Sequence, residues 1–291
     1  MRSWLRWGLI VLLPLACSDG EGPDETPRLH DVILFVSTRS GGNQLHVMAP
    51  DGSGITPLFV DTNLAGGGNV GSPAISPDGE WIAFRMLGDI WVARANGTEP
   101  RNLTQDPGFD AFPAWSPDGT QIAFHSDRDG DYDIYLINTD GTGLVQLTDT
   151  AGTDGSPTWA PNGQRLAFSS DRSGNSEIYV LELAGGEPIN LTLDPASDQI
   201  PAWSSDGNTI VFGSTRDGGN FLYLMDADGG NVRPLVTDFN GYFPAWGPGD
   251  SLIVFAGAET QSDISIVRPD GTGLTNLTDD PALDNYPVWA R

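Results

Sequence analysis

The chain has 291 residues, 39 acidic against 14 basic side chains and a formal charge of −25. That balance argues against a nucleic-acid partner, which needs basic groups on the phosphates, and against anionic lipid headgroups. A basic protein patch, a sugar, a cation or plain solubility stays open; the single cysteine excludes an internal disulfide.

In chain order, Met1–Ala16 carries Arg2 and Arg6, then an apolar run from Trp7 that ends at Ala16, before Cys17. Basic residues ahead of about ten apolar ones make an export signal, too short to be retained across a bilayer. Ala16-Cys17 resembles a bacterial lipoprotein cleavage site, which implies residues 1–17 as leader and Cys17 as the lipidated residue. Ordinary signal-peptide cleavage nearby is the alternative. Ser18 rather than Asp after the cysteine points, under lipoprotein sorting, to the outer membrane. Residues 18–30 (SDGEGPDETPRLH) are acidic, lack an apolar period and read as a flexible tether.

From Asp31 to Arg291 one unit recurs. Its anchor is Pro-x-Trp at Pro113/Trp115, Pro157/Trp159, Pro201/Trp203, Pro244/Trp246 and Pro287/Trp289, with an earlier copy at Pro73/Ile75. Successive anchor prolines stand 40, 44, 44, 43 and 43 residues apart, the period of four short strands folded into one propeller blade. Nine residues after each of the first five Trp or Ile positions comes Phe84, Phe124, Phe168, Phe212 or Phe255, which fixes a hairpin register. Pro117-Asp118-Gly119 suits the tight turn between the first two strands, and Asp140-Gly141 the turn between the last two. The second strand occurs six times (Ile33, Ile82, Ile122, Leu166, Ile210, Ile253), yet the series opens on a second strand and closes on a first strand ending at Arg291. The expectation is an all-β, six-bladed propeller over residues 31–291, four antiparallel strands to a blade. The C-terminal strand completes the first blade, so no sheet edge is left open there.

At PAWSPDG, IAFHSDRDGDYDIY and the following Asp-Gly and Leu-Thr, the chain resembles the TolB-type propeller repeat, over residues 31–291. The resemblance implies the propeller fold and an envelope setting in which the propeller engages a protein partner. The span before Asp31 is read as leader and tether, without the α/β domain that precedes the propeller in that family.

Strand alternation puts the short SPDG and DG turns on the lower face and the longer acidic loops, such as residues 105–112 and 126–133, on the upper face, where binding is expected. Three residues before an anchor proline stand Asp110, Asp154, Asp198 and Asp284, with Val70 and Gly241 at the matching places in the other two units. A ring of carboxylates at the channel mouth suits a Ca²⁺ ion; the reading favoured over it is that each aspartate caps its own loop, because repetition in blade after blade is what structure demands. Four residues after the second-strand phenylalanine come Arg39, Arg128, Arg172 and Arg216, fit either for an anionic ligand or for bridging loop carboxylates. Gly88 and Glu259 replace them in the remaining units.

Only His30, His46 and His125 are available as imidazole bases, and no G-x-S-x-G elbow occurs, so nucleophilic hydrolysis has no support. The expectation is a non-catalytic, monomeric envelope protein, periplasmic or at the cell surface, that binds a protein or peptide through its upper face and requires no cofactor. The alternative is a carbohydrate-binding or carbohydrate-active propeller using acidic residues at the channel mouth.

Overall fold

The computed structural model describes residues 28–58, 69–257 and 262–290. The leader, Cys17 and all of the tether before Arg28 lie outside the described residues, as does Glu259.

Six four-stranded antiparallel sheets surround a central axis. In blade three, strand a is Asp110–Trp115, b Gln121–Ser126, c Asp133–Asn138 and d Val145–Gln146. The a strands of neighbouring blades touch one another and line the channel, so each sheet runs outward from a to d. Blade one is assembled from both ends of the repeat series: Asp284–Trp289 pairs with Ile33–Ser37, Ile33 opposite Trp289 and Ser37 opposite Asp284. The outermost strands are two residues long except in blade five (Arg233–Val236), which leaves little free edge for a second chain to pair with.

The hairpins follow from local chemistry. In the a–b turn of blade three, Ser116 Oγ donates to Asp118 Oδ1 (2.6 Å), the Thr120 N–H donates to the same oxygen (3.0 Å) and Gly119 takes φ 71°. A side chain at Gly119 would be strained by that φ, which is why glycine holds the place. These bonds keep the Asp118 carboxyl below the usual carboxylate range, Ser116 contributing most. At the outer end, Thr148 of the Leu-Thr motif accepts from the Ile134 N–H (2.9 Å) and donates to Asp133 (3.1 Å), tying strand c to the end of d.

The core is a set of slabs between blades. Phe35, Phe84, Phe124, Phe168, Phe212 and Phe255, one from each b strand, are all fully buried. Phe124 packs with Ile122, Tyr135 and Ile137 of its own blade and with Ala83, Ile90 and Val92 of the preceding one. Burial of one such ring contributes about 1.5–3 kcal/mol. The anchor tryptophans join the blades at the lower end: Trp159 Nε1 donates to the Ala114 carbonyl of the blade before it (3.1 Å), and Trp246 Nε1 to that of Ala202 (3.0 Å).

The chain enters the wheel at its lower face. The Leu29 N–H donates to the Gly79 carbonyl in the a–b turn of blade two (2.9 Å), and Arg28 pairs with Glu80 (2.7 Å). Arg28 and Leu29, read from the sequence as the end of a loose tether, are therefore fastened to the propeller.

Candidate functional site

The aspartates and arginines expected as two separate rings form one set of four pairs. Arg128 Nη2 lies 3.0 Å from Asp110, Arg172 Nη2 2.7 Å from Asp154, Arg216 Nη2 2.9 Å from Asp198 and Arg39 Nη2 2.6 Å from Asp284. In each blade Nε of the arginine also donates to the serine that ends strand b, at 2.8 Å, for Ser126, Ser170, Ser214 and Ser37. The guanidinium then lies over the buried phenylalanine, 5.4–5.6 Å from its centroid, and in blades three to five over a strand-c tyrosine at 4.8–4.9 Å. One clamp thus fastens strands a, b and c at the upper end of the blade.

All four aspartates are fully buried. They turn into the sheet toward serine and arginine rather than onto the axis, because the guanidinium and hydroxyl there offset their desolvation. Burial still raises the Asp110 carboxyl above its ordinary value, more than Ser126, Thr104 and Arg128 lower it, and Asp198 behaves alike. The set does not fit a calcium ion, since each carboxylate is held by its own blade's guanidinium. Among the described residues no three His, Cys, Asp or Glu are grouped to hold a metal.

The residues that do meet at the upper mouth are those immediately before the anchor prolines, which the sequence reading passed over. Ser72, Phe112, Ser156, Ile200, Phe243 and Tyr286 line a cleft of about 210 Å³ together with the six prolines. All six take positive φ, between 47° and 56°. Such values are sparsely populated for non-glycine residues, and a following proline further disfavours helical backbone. Each sits in a bulge of strand a; in blade three the register slips between Ala111 and Ala114. The bulge aims the side chain at the axis. Phe112 and Phe243 come from opposite blades and approach at 6.0 Å between centroids, and Tyr286 lies 4.1 Å from Phe243 and 5.8 Å from Phe112. His125 backs Phe112 at 5.1 Å; its Nδ1 is sealed from solvent without a hydrogen-bond partner, and burial pushes its pKa down to about 4. His46 lies in blade one and bonds Ser40 and the Gln44 carbonyl.

Among the described residues no acidic side chain lines either the upper cleft or the wider cavity of about 380 Å³ at the lower end, which Trp115, Trp159, Trp203, Trp246 and Trp289 surround. Among the described residues, the carboxylate pair that an acid-catalysed glycosidase needs does not converge on the channel.

The sequence matches the family described as TolB beta propeller domain over residues 60–150 and 142–291. It is 37% identical over 87 residues to the Tol-Pal system protein TolB of Anaeromyxobacter dehalogenans strain 2CP-C, covering 28% of this chain and 19% of that protein. It is 29% identical over 144 residues to a protein TolB homolog of Chlorobium luteolum, covering 34% of this chain and 32% of that one. The chain therefore aligns with about a fifth to a third of the length of these curated relatives. Among solved structures, TolB from Acinetobacter baumannii superposes with a TM-score of 0.78 at 23% identity, over 89% of this chain and 66% of that one. An oligogalacturonate lyase in complex with manganese shares the fold at a TM-score of 0.61 and 14% identity, over 84% of this chain and 73% of the lyase.

Proposed function

The chain belongs to the TolB β-propeller domain family, and from that premise we propose that it is a non-catalytic, exported cell-envelope protein whose upper face holds a protein or peptide partner. The observation that carries this reading is the upper mouth. Phe112, Phe243 and Tyr286 converge there, on backbone held in an uncommon conformation, and strained positions cluster at binding surfaces. The surrounding loops leave Leu87 65% and Leu193 79% exposed, with Phe109, Tyr242 and Leu283 also open to solvent. Aromatic and apolar groups gathered at a rigid mouth are the composition of a protein-docking centre.

The four Asp–Arg clamps enter this reading as the frame of the surface, setting the loops that carry the contact residues. Lipidation at Cys17 and an outer-membrane location complete the proposal. The ten residues between Cys17 and Arg28 reach at most about 35 Å. Arg28 and Leu29, which follow them, are fastened at the lower face, and we place the anchor on that side.

The test exchanges Phe112 and Tyr286 together for serine, the residue that blades two and four carry at the same position (Ser72, Ser156). Capture from envelope extract on the unaltered chain should retain a defined protein that the double variant, still folded, releases. An identical set of captured proteins would sink the reading.

A further inference from the structure

The sequence has no lysine, so all 14 of its permanently cationic side chains are arginines. Seven of those described stand within ion-pair distance of an Asp or Glu. Arg101, Arg233 and Arg268 do not, and they are exposed to water. Arg85 is the anomaly: it is half-buried, yet among the described residues its side chain has neither a carboxylate within 4 Å nor a hydrogen bond.

The cause lies in blade two. Val70 stands where the clamped blades have their aspartate and Gly88 where they have their arginine, and the arginine of this blade appears three residues earlier, beside the mouth. Its seat is built for it. A Cβ on Gly71, directly across the ladder, would fall 2.5 Å from Nη2, so the guanidinium occupies the space that this glycine leaves open. Phe109 from the next loop covers it at 5.3 Å, and Phe109 in turn meets the edge of Tyr132 at 6.4 Å. Tyr132 leads to His125 and so to Phe112, while Ser72, next to Gly71, lines the upper cleft. A half-desolvated guanidinium that meets no carboxylate among the described residues stands beside an aromatic wall.

We propose that Arg85 receives a carboxylate carried by the docked segment, with Phe109 and Phe112 holding the apolar group next to it. This rests on the upper face being the docking surface. Guanidinium and carboxylate match in a two-bond fork, and partial desolvation strengthens that pair. The strongly negative molecule repels acidic segments elsewhere, so one carboxylate in the right place becomes a selective feature.

Four small probes test it by titration with NMR detection. N-acetylphenylalanine carries a terminal carboxylate and N-acetyl-aspartyl-phenylalaninamide a side-chain one; N-acetylphenylalaninamide and N-acetyl-asparaginyl-phenylalaninamide are their neutral counterparts. At least one acid should bind about tenfold or more tightly than its amide, the equivalent of about 1.4 kcal/mol, and which acid does so identifies the source of the carboxylate. Arg85→Gln should abolish that preference, Arg85→Lys should restore part of it, and Arg101→Gln should leave it intact. Equal binding of acids and amides to the unaltered chain overturns the proposal, whether or not the Arg85 variants fold. If the amides still bind and Phe112→Ser releases them, the docking surface stands and only the carboxylate reading falls.

Discussion

Blades one, three, four and five carry the Asp–Ser–Arg clamp, and blades two and six do not. Yet all six have four strands, a bulged inner strand and a buried b-strand phenylalanine. Blade formation therefore rests on apolar packing and turn chemistry, and the clamp does something narrower: it fixes the upper ends of the strands and the loops that leave them. Where it is missing, the same space is filled differently. Val70 is buried in blade two. In blade six Gly241 packs so tightly that a Cβ would meet Leu222 Cγ at 2.8 Å.

The largest effect should come from breaking a clamp on one side. Arg128→Ala leaves the fully buried Asp110 without its cation and is expected to cost about 3–5 kcal/mol. For a domain of this size that lowers Tm by on the order of 10 °C in a thermal scan. Replacing both partners, as Asp110→Leu with Arg128→Met, should recover most of the loss; a double variant as unstable as the single one would show that the pair acts through something other than its charges. The reverse experiment introduces the acid where no cation waits. Val70→Asp is expected to cost about 2 kcal/mol or more in urea denaturation, so the residue that suits four blades harms the second.

Acid titration gives the next effect. The folded value of His125, about 4, lies below its ordinary 6.5. Its contribution to stability is therefore fully present above pH 6.5 and is lost as pH falls through about 4. Asp110 and Asp198, raised by burial, act with the opposite sign and gain as pH falls toward the carboxylate range. His125→Ala should flatten stability against pH between 6.5 and 4 by on the order of 2 kcal/mol; an unchanged slope would place the sensitivity elsewhere. Smallest is Ser126→Ala, which removes the 2.8 Å bond to Arg128 Nε but leaves the ion pair, for about 1 kcal/mol.

The wheel was legible in the sequence because its signals are periodic: the anchor, the phenylalanine nine residues on and the turn glycines recur at one spacing, and the phase shift between first and second strands revealed the closure. The site was legible only in part. Asp110 opens strand a and Arg128 lies in the turn after strand b, 18 residues on, and each repeats in the same four blades. That shared absence from blades two and six was the signal that they belong together. What alternation could not reveal was direction. A regular strand would face Asp110, Phe112 and Ala114 the same way, but the bulge between Ala111 and Ala114 inserts an extra residue and re-aims the chain. The carboxylate then turns inward to the sheet and the ring to the axis. The pre-proline residues differ from blade to blade, so no motif announced them; their positive φ did.

The pairing of Ile33–Ser37 with Asp284–Trp289 also sets a timetable. The opening segment cannot find its inner neighbour until almost the whole chain has been synthesised, and contacts so distant along the sequence form slowly. Until that late encounter, the half-made first sheet offers bare backbone and the ring stays unlocked. Closure of the ring therefore waits on the strand Asp284–Trp289, which arrives last and locks the first sheet in place.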